Sequence, residues 1–168
     1  MTEQGRYATS SAYFASVAEH VLLADVLTYA WYIKRVELQV LHAEVDVAGY
    51  DLVLSDHRVI RHIQLKAGQN SPVPISLRLC DAPSGCVVWV RLDEASNGWR
   101  PDVRYRFLGG GPGEPLDASD LGERVTSSPR TRKPRLGHRD VNWTHLKGPL
   151  TASELYDALF GSAEASSP

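Results

Sequence analysis

The spacing of apolar and polar residues changes several times along the chain, and each period predicts a different element. Over residues 12–33, Phe14, Val17, Val21, Leu22, Ala24, Leu27 and Trp31 recur at helical intervals. A long helix is expected there, with Ser10 or Ser11 as its N-cap. Residues 36–47 alternate and predict a strand. Two apolar runs, 49–54 and 60–66, then flank Ser55-Asp56-His57-Arg58, a cluster of turn formers. That pattern predicts a β-hairpin.

Downstream the signals are shorter. Gly and Pro mark residues 67–74 as a loop, and residues 75–80 suit one or two helical turns. Residues 86–92 are a continuous run of β-branched and aromatic side chains, which predicts a strand buried on both faces. Residues 103–108 alternate as a partly exposed strand. Near the end, Thr151 and Glu154 have capping-box spacing. Leu155, Leu159 and Phe160 form the apolar stripe of a helix over 151–161 that stops at Gly161. No internal repeat is present. The order helix, strand, hairpin, helical turn, strand predicts a single α/β domain. Its core spans about 10–110 plus the last helix, with a mobile basic loop over 112–140 and a disordered tail over 162–168.

The chain has 168 residues, a formal net charge of −2 and 43% hydrophobic residues. A core of real size is affordable at that length. No global positive field recruits a polyanion, so any nucleic-acid contact needs a local patch. Residues 124–139 supply one, with Arg124, Arg130, Arg132, Lys133, Arg135 and Arg139 and no acid. Arg130, Arg132, Lys133 and Arg135 are its candidate phosphate contacts. Two cysteines are neither a disulfide framework nor a zinc signature. No signal peptide or membrane-length apolar run is evident, and a cytoplasmic protein without membrane partners is expected. The Gly-rich stretch 109–113 lacks the Lys-Ser/Thr ending of a phosphate loop and reads as a turn.

The hairpin carries the chemistry. If Leu54 faces Val59 across a tight turn, Asp51 lies opposite His62 and Gln64 is its diagonal neighbour, about 7–8 Å away. Gln64 and Lys66 share one strand face. An acid, an amide and a lysine would thus meet at one end of an apolar hairpin.

Asp51 followed by Gln64-Leu65-Lys66 resembles the signature of the PD-(D/E)XK phosphodiesterase superfamily. In that signature an acid opens one strand, and an acid-any-lysine triplet lies on the next. Gln64 departs from it and is similar to the Gln-any-Lys variant of some restriction-type nucleases. The resemblance covers roughly residues 12–92. It implies a restriction-endonuclease-like fold, with a mixed central β-sheet flanked by helices. Glu19 fits the position of a Glu that many members carry on the preceding helix.

The resemblance implies a metal-dependent nuclease that hydrolyses phosphodiester bonds in DNA, and a homodimer is a candidate assembly. Asp51, Gln64, Lys66 and Glu19 would be catalytic. Mg²⁺ or Mn²⁺ would take oxygens from Asp51, Gln64, Glu19 and the Leu65 carbonyl, since hard cations prefer oxygen ligands. Lys66 would hold the phosphate or orient the attacking water. His62, Glu44 and Asp46 are auxiliary candidates, with His62 orienting Asp51. Loss of a negative charge at Gln64 predicts weaker metal binding. It also keeps open an alternative, a catalytically inactive domain of the same fold that binds nucleic acid or protein.

Overall fold

The computed structural model of the chain describes residues 11–45, 48–69, 71–95, 98–125 and 134–162. Helix α1 (Ser11–Tyr29) runs into a π-helical turn (Ala30–Lys34). Strands β1 (Gln39–His42), β2 (Leu52–Ser55), β3 (Ile60–Ala67) and β4 (Val73–Ser76) follow, and a 3₁₀ turn (Leu77–Asp81) leads to β5 (Gly85–Asp93). Then come β6 (Asp102–Gly109), β7 (Gly122–Val125), β8 (Pro134–Val141), a second 3₁₀ turn (Trp143–His145), β9 (Lys147–Leu150) and helix α2 (Ala152–Phe160).

The main sheet is six-stranded and mixed, in the order β1-β2-β3-β5-β6-β9. Among the described residues, β3 and β5 pair in parallel and the other neighbours in this sheet are antiparallel. Both helices pack on one face. There Ala18, Leu22, Val26 and Ala30, one stripe at every fourth residue, meet Leu52, Leu54, Ile63, Val88, Val90 and Leu159. Ala24 and Trp31, apolar in the sequence pattern, lie on the exposed side of this stripe. The other face is covered by a three-stranded antiparallel sheet, β4-β8-β7, through Ile75, Leu79, Val87, Trp89, Leu121 and Val141.

This three-layer arrangement explains the unbroken apolar run of β5. Cys86, Val88, Val90 and Leu92 face the helices, while Val87 and Trp89 face the second sheet. Burial pushes the Cys86 thiol up to about 12, so it behaves as a small apolar side chain.

The expected mixed sheet and its hairpin are present, but among the described residues both α-helices lie on one face. The second layer comes from residues expected as loops, apart from Ile75 and Ser76, which were expected in a helical turn and end β4. β7 and all of β8 but Val141 lie inside the 112–140 stretch, and their charge hid them because Arg135, Leu136 and Gly137 of β8 face solvent. Val73 and Pro74, placed in a loop by composition, begin β4. The strand expected over 36–47 is shorter, four residues, because the chain bends at Glu44 and Val45. The C-terminal helix is capped as anticipated: Thr151 accepts from the Glu154 N–H at 3.3 Å, and the Glu154 carboxylate accepts from the Thr151 N–H at 2.8 Å. The tail over 163–168 lies outside the described residues.

Candidate functional site

The β2–β3 turn is held by Asp56. Its carboxylate accepts from the N–H groups of Arg58 and Val59 at 3.0 and 2.7 Å, and from the Arg58 guanidinium at 2.7 Å. The connection has four residues, as many as expected, but it spans 56–59 instead of 55–58, so the register is shifted. Leu54 pairs with Arg61, Val53 with His62 and Leu52 with Ile63. His62 therefore does not face Asp51.

Asp51 lies where this pairing ends. Its N–H donates to the Ile63 carbonyl at 2.8 Å, although Ile63 is already paired with Leu52. Two residues of one strand thus meet one of the other, as in a β-bulge, a device that re-aims a side chain. The Asp51 carboxylate turns along the sheet and accepts from the Leu65 N–H at 2.6 Å. The side chain has taken the position of a ladder carbonyl, and the acid is fixed against the first half of Leu65-Lys66.

Gln64 and Lys66 point away from the helices, toward the second sheet. Gln64 is 5% exposed, and its side-chain oxygen accepts from the Ser76 N–H at 3.1 Å. Ser76 is the last residue of β4 and caps the following 3₁₀ turn by accepting from the Arg78 N–H at 3.3 Å. Gly49 passes close to the same serine. It has φ +79°, and a Cβ there would sit 2.7 Å from Ser76 Cβ, so only glycine fits. Lys66 is half-buried and pairs in register with Trp89 of β5.

The other candidates lie apart from this corner. Glu19 accepts a hydrogen bond from His42 Nε2 at 2.8 Å. His42 pairs with Leu52 on the helix side of the sheet. His62 donates from Nδ1 to the Pro83 carbonyl at 2.6 Å, and its ring meets Tyr50 edge-on with centroids 4.8 Å apart. Glu44 is exposed in the bend after β1. Asp46, Arg130, Arg132 and Lys133 lie outside the described residues. Arg135 is exposed on β8, and Arg124 is paired with Asp140 at 2.7 Å.

Among the described residues, no group of three His, Cys, Asp or Glu side chains converges to hold a metal ion. The Asp51 carboxylate lies against the backbone of Leu65, from whose N–H it accepts a hydrogen bond. One carboxylate with a backbone carbonyl suits a hard ion that keeps several of its waters, as Mg²⁺ does. The Gln64 oxygen is committed to Ser76 and the Glu19 carboxylate to His42.

Sequence reasoning did not single out Arg91, Arg104 and Arg106. They share one face of β5 and β6, where Arg106 lies opposite Trp89 and Arg104 opposite Arg91. The signal was the alternation of Val103-Arg104-Tyr105-Arg106-Phe107, which puts both arginines on one side.

No family model and no curated protein matches the chain. Among solved structures it is similar to Archaeoglobus fulgidus Hjc, a Holliday junction resolvase from an archaeal hyperthermophile. The identity is 15% and the TM-score 0.46, over 87% of this chain and 98% of that one.

Proposed function

We propose that the protein is a divalent-metal-dependent nuclease that hydrolyses phosphodiester bonds in DNA from the Asp51–Leu65–Lys66 corner of the hairpin. The observation that carries this reading is the Asp51 carboxylate turned onto the Leu65 N–H, one residue before Lys66. Asp51 and the Leu65 carbonyl would hold Mg²⁺ or Mn²⁺. Such an ion supplies an activated water and neutralises charge on the phosphate. Asp51 keeps its orientation through the Leu65 bond. Lys66 holds a phosphate oxygen by charge. Gln64 acts one step back, by fixing Ser76 and the floor of the corner. No helix among the described residues is long and apolar enough to cross a membrane, and the reading needs no membrane.

Cleavage of supercoiled plasmid and of a single-stranded oligonucleotide, with Mg²⁺, Mn²⁺ or EDTA, tests the proposal. Wild-type cutting should require metal, and Asp51→Asn should abolish it. Lys66→Ala should slow it by roughly 10²-fold or more, the scale of one lost charge-stabilising group. Cleavage unchanged in both variants would remove the site.

A second reading is a non-catalytic nucleic-acid-binding domain. The Gln64–Ser76 bond favours it, because it occupies the amide oxygen that would otherwise stand beside the Asp51 carboxylate as a metal ligand. Calorimetry separates the two readings. No Mn²⁺ binding at millimolar concentration, with oligonucleotide binding intact, selects the binding domain.

A further inference from the structure

The second face of the main sheet carries a basic cleft beyond the hairpin. Arg91, Arg104 and Arg106 line it with Asp93, Trp143 and Pro149, around a volume of about 340 Å³. Three guanidinium groups against one carboxylate leave an excess of two positive charges on a chain whose net charge is −2.

The cleft is ordered in advance. The Arg106 guanidinium lies 4.8 Å from the centre of the Trp143 ring. It also donates from Nη1 to the carbonyls of Trp143 and Gly148 at 3.4 and 3.3 Å. Trp143 in turn stacks on Trp89 with centroids 4.0 Å apart. Arg91 is aimed by Asp93, whose two oxygens accept from its Nε at 2.9 and 3.1 Å. Arg104 is exposed and donates from Nη1 to the Val103 carbonyl at 3.2 Å. Fixed guanidinium groups with further N–H donors match the paired oxygens of a phosphate.

The cleft is also aligned with the proposed catalytic corner. Lys66, Trp89 and Arg106 are register partners across β3, β5 and β6. Neighbouring strands are about 4.8 Å apart, so Lys66 and Arg106 are separated by roughly 10 Å of sheet. Arg91 and Arg104 form the next pair on that face. Lys66 and Arg106 in one row and Arg91 and Arg104 in the next spread positive charge across this face, which suits an extended polyanion better than a compact one.

We infer that this cleft binds the phosphodiester backbone of the nucleic acid on one side of the scissile bond. The inference rests on the nuclease reading and supplies its substrate track.

The test is fluorescence anisotropy of a labelled DNA duplex in EDTA, over a salt series, for wild type, Arg91→Gln, Arg104→Gln and the double variant. Both arginines are exposed, and thermal midpoints check that each variant folds. Every lost phosphate contact should weaken binding and flatten the log–log salt dependence by about 0.9 on a duplex. Affinity and slope unchanged in the double variant would overturn the track. Metal-dependent plasmid cutting lost with Lys66→Ala, in the same preparations, would then leave the nuclease reading standing. Wild type that binds no duplex at low salt would overturn both. Inorganic phosphate is titrated in parallel. Its loss in the double variant, with duplex binding intact, would reveal a small-anion site and overturn the inference.

Discussion

The side-chain oxygen of Gln64 accepts a hydrogen bond from the backbone N–H of Ser76, tying β3 of the main sheet to β4 of the second. The residue that breaks the acid-any-lysine pattern therefore has a structural task that an acid could also perform. A carboxylate at position 64 would accept the same N–H and add a negative charge beside Asp51. Gln64→Glu is expected to fold and to bind Mn²⁺ more tightly than wild type by calorimetry. Gln64→Ala strands a buried N–H, which costs about 1–3 kcal/mol. Urea denaturation should register that loss, and equal stability of wild type and Gln64→Ala would show that the bond contributes nothing.

Glu19 gives a contrasting expectation. Its carboxylate is bound by His42 on the helix side of the sheet, while Gln64 and Lys66 face the second sheet. Glu19→Gln can still accept from His42, and it should leave Mn²⁺ affinity and plasmid cutting near wild type. A loss as deep as that of Asp51→Asn would return Glu19 to the metal's donor set.

Much of this fold was legible because apolar periodicity reports burial directly. β5 is apolar at every position from Cys86 to Val90 since both of its faces are covered. The hairpin and both helices were found for the same reason. The register was not legible, because it depends on Asp56 gathering the N–H groups of Arg58 and Val59 in the turn. Nor was the second sheet: Arg135, Leu136 and Gly137 of β8 face solvent and show no burial pattern. Spacing placed Asp51 at the mouth of the hairpin and Lys66 on its second strand, which is where both lie. The commitments of Gln64 to Ser76 and of Glu19 to His42 are tertiary, and one-dimensional spacing does not encode them.

Arg61 supplies a test of how α2 is anchored. Fully buried in β3, it donates from Nε to the Leu159 carbonyl at 2.5 Å, and from Nη2 to the carbonyls of Gly110 and Ala158 at 3.1 and 3.2 Å. Two of these acceptors are in the last turn of α2, where carbonyls lack partners within the helix. Burial lowers the Arg61 pKa, yet a guanidinium remains charged and complements the negative helix end. Arg61→Leu leaves the carbonyls without a donor and should destabilise the fold by about 3–5 kcal/mol. Arg61→Lys keeps the charge without the planar fork and should recover only part of this in urea melts.

The same hairpin predicts an acid limb in the stability curve. Burial pushes the Asp56 carboxyl up, but the Arg58 side chain and the N–H groups of Val59 and Arg58 outweigh it, and the pKa falls below its ordinary 3.8. The unfolded chain then holds its proton at a higher pH than the native protein does. The contribution of Asp56 is complete above the ordinary carboxylate value and is lost as pH drops through the lower native one. Asp56→Ala should be less stable than wild type at neutral pH, and the gap should narrow as the solution is acidified through that window. Urea midpoints measured from roughly pH 6 to pH 2.5 check this. A gap that stays constant across the range would mean that Asp56 stabilises the turn by packing rather than by its charge.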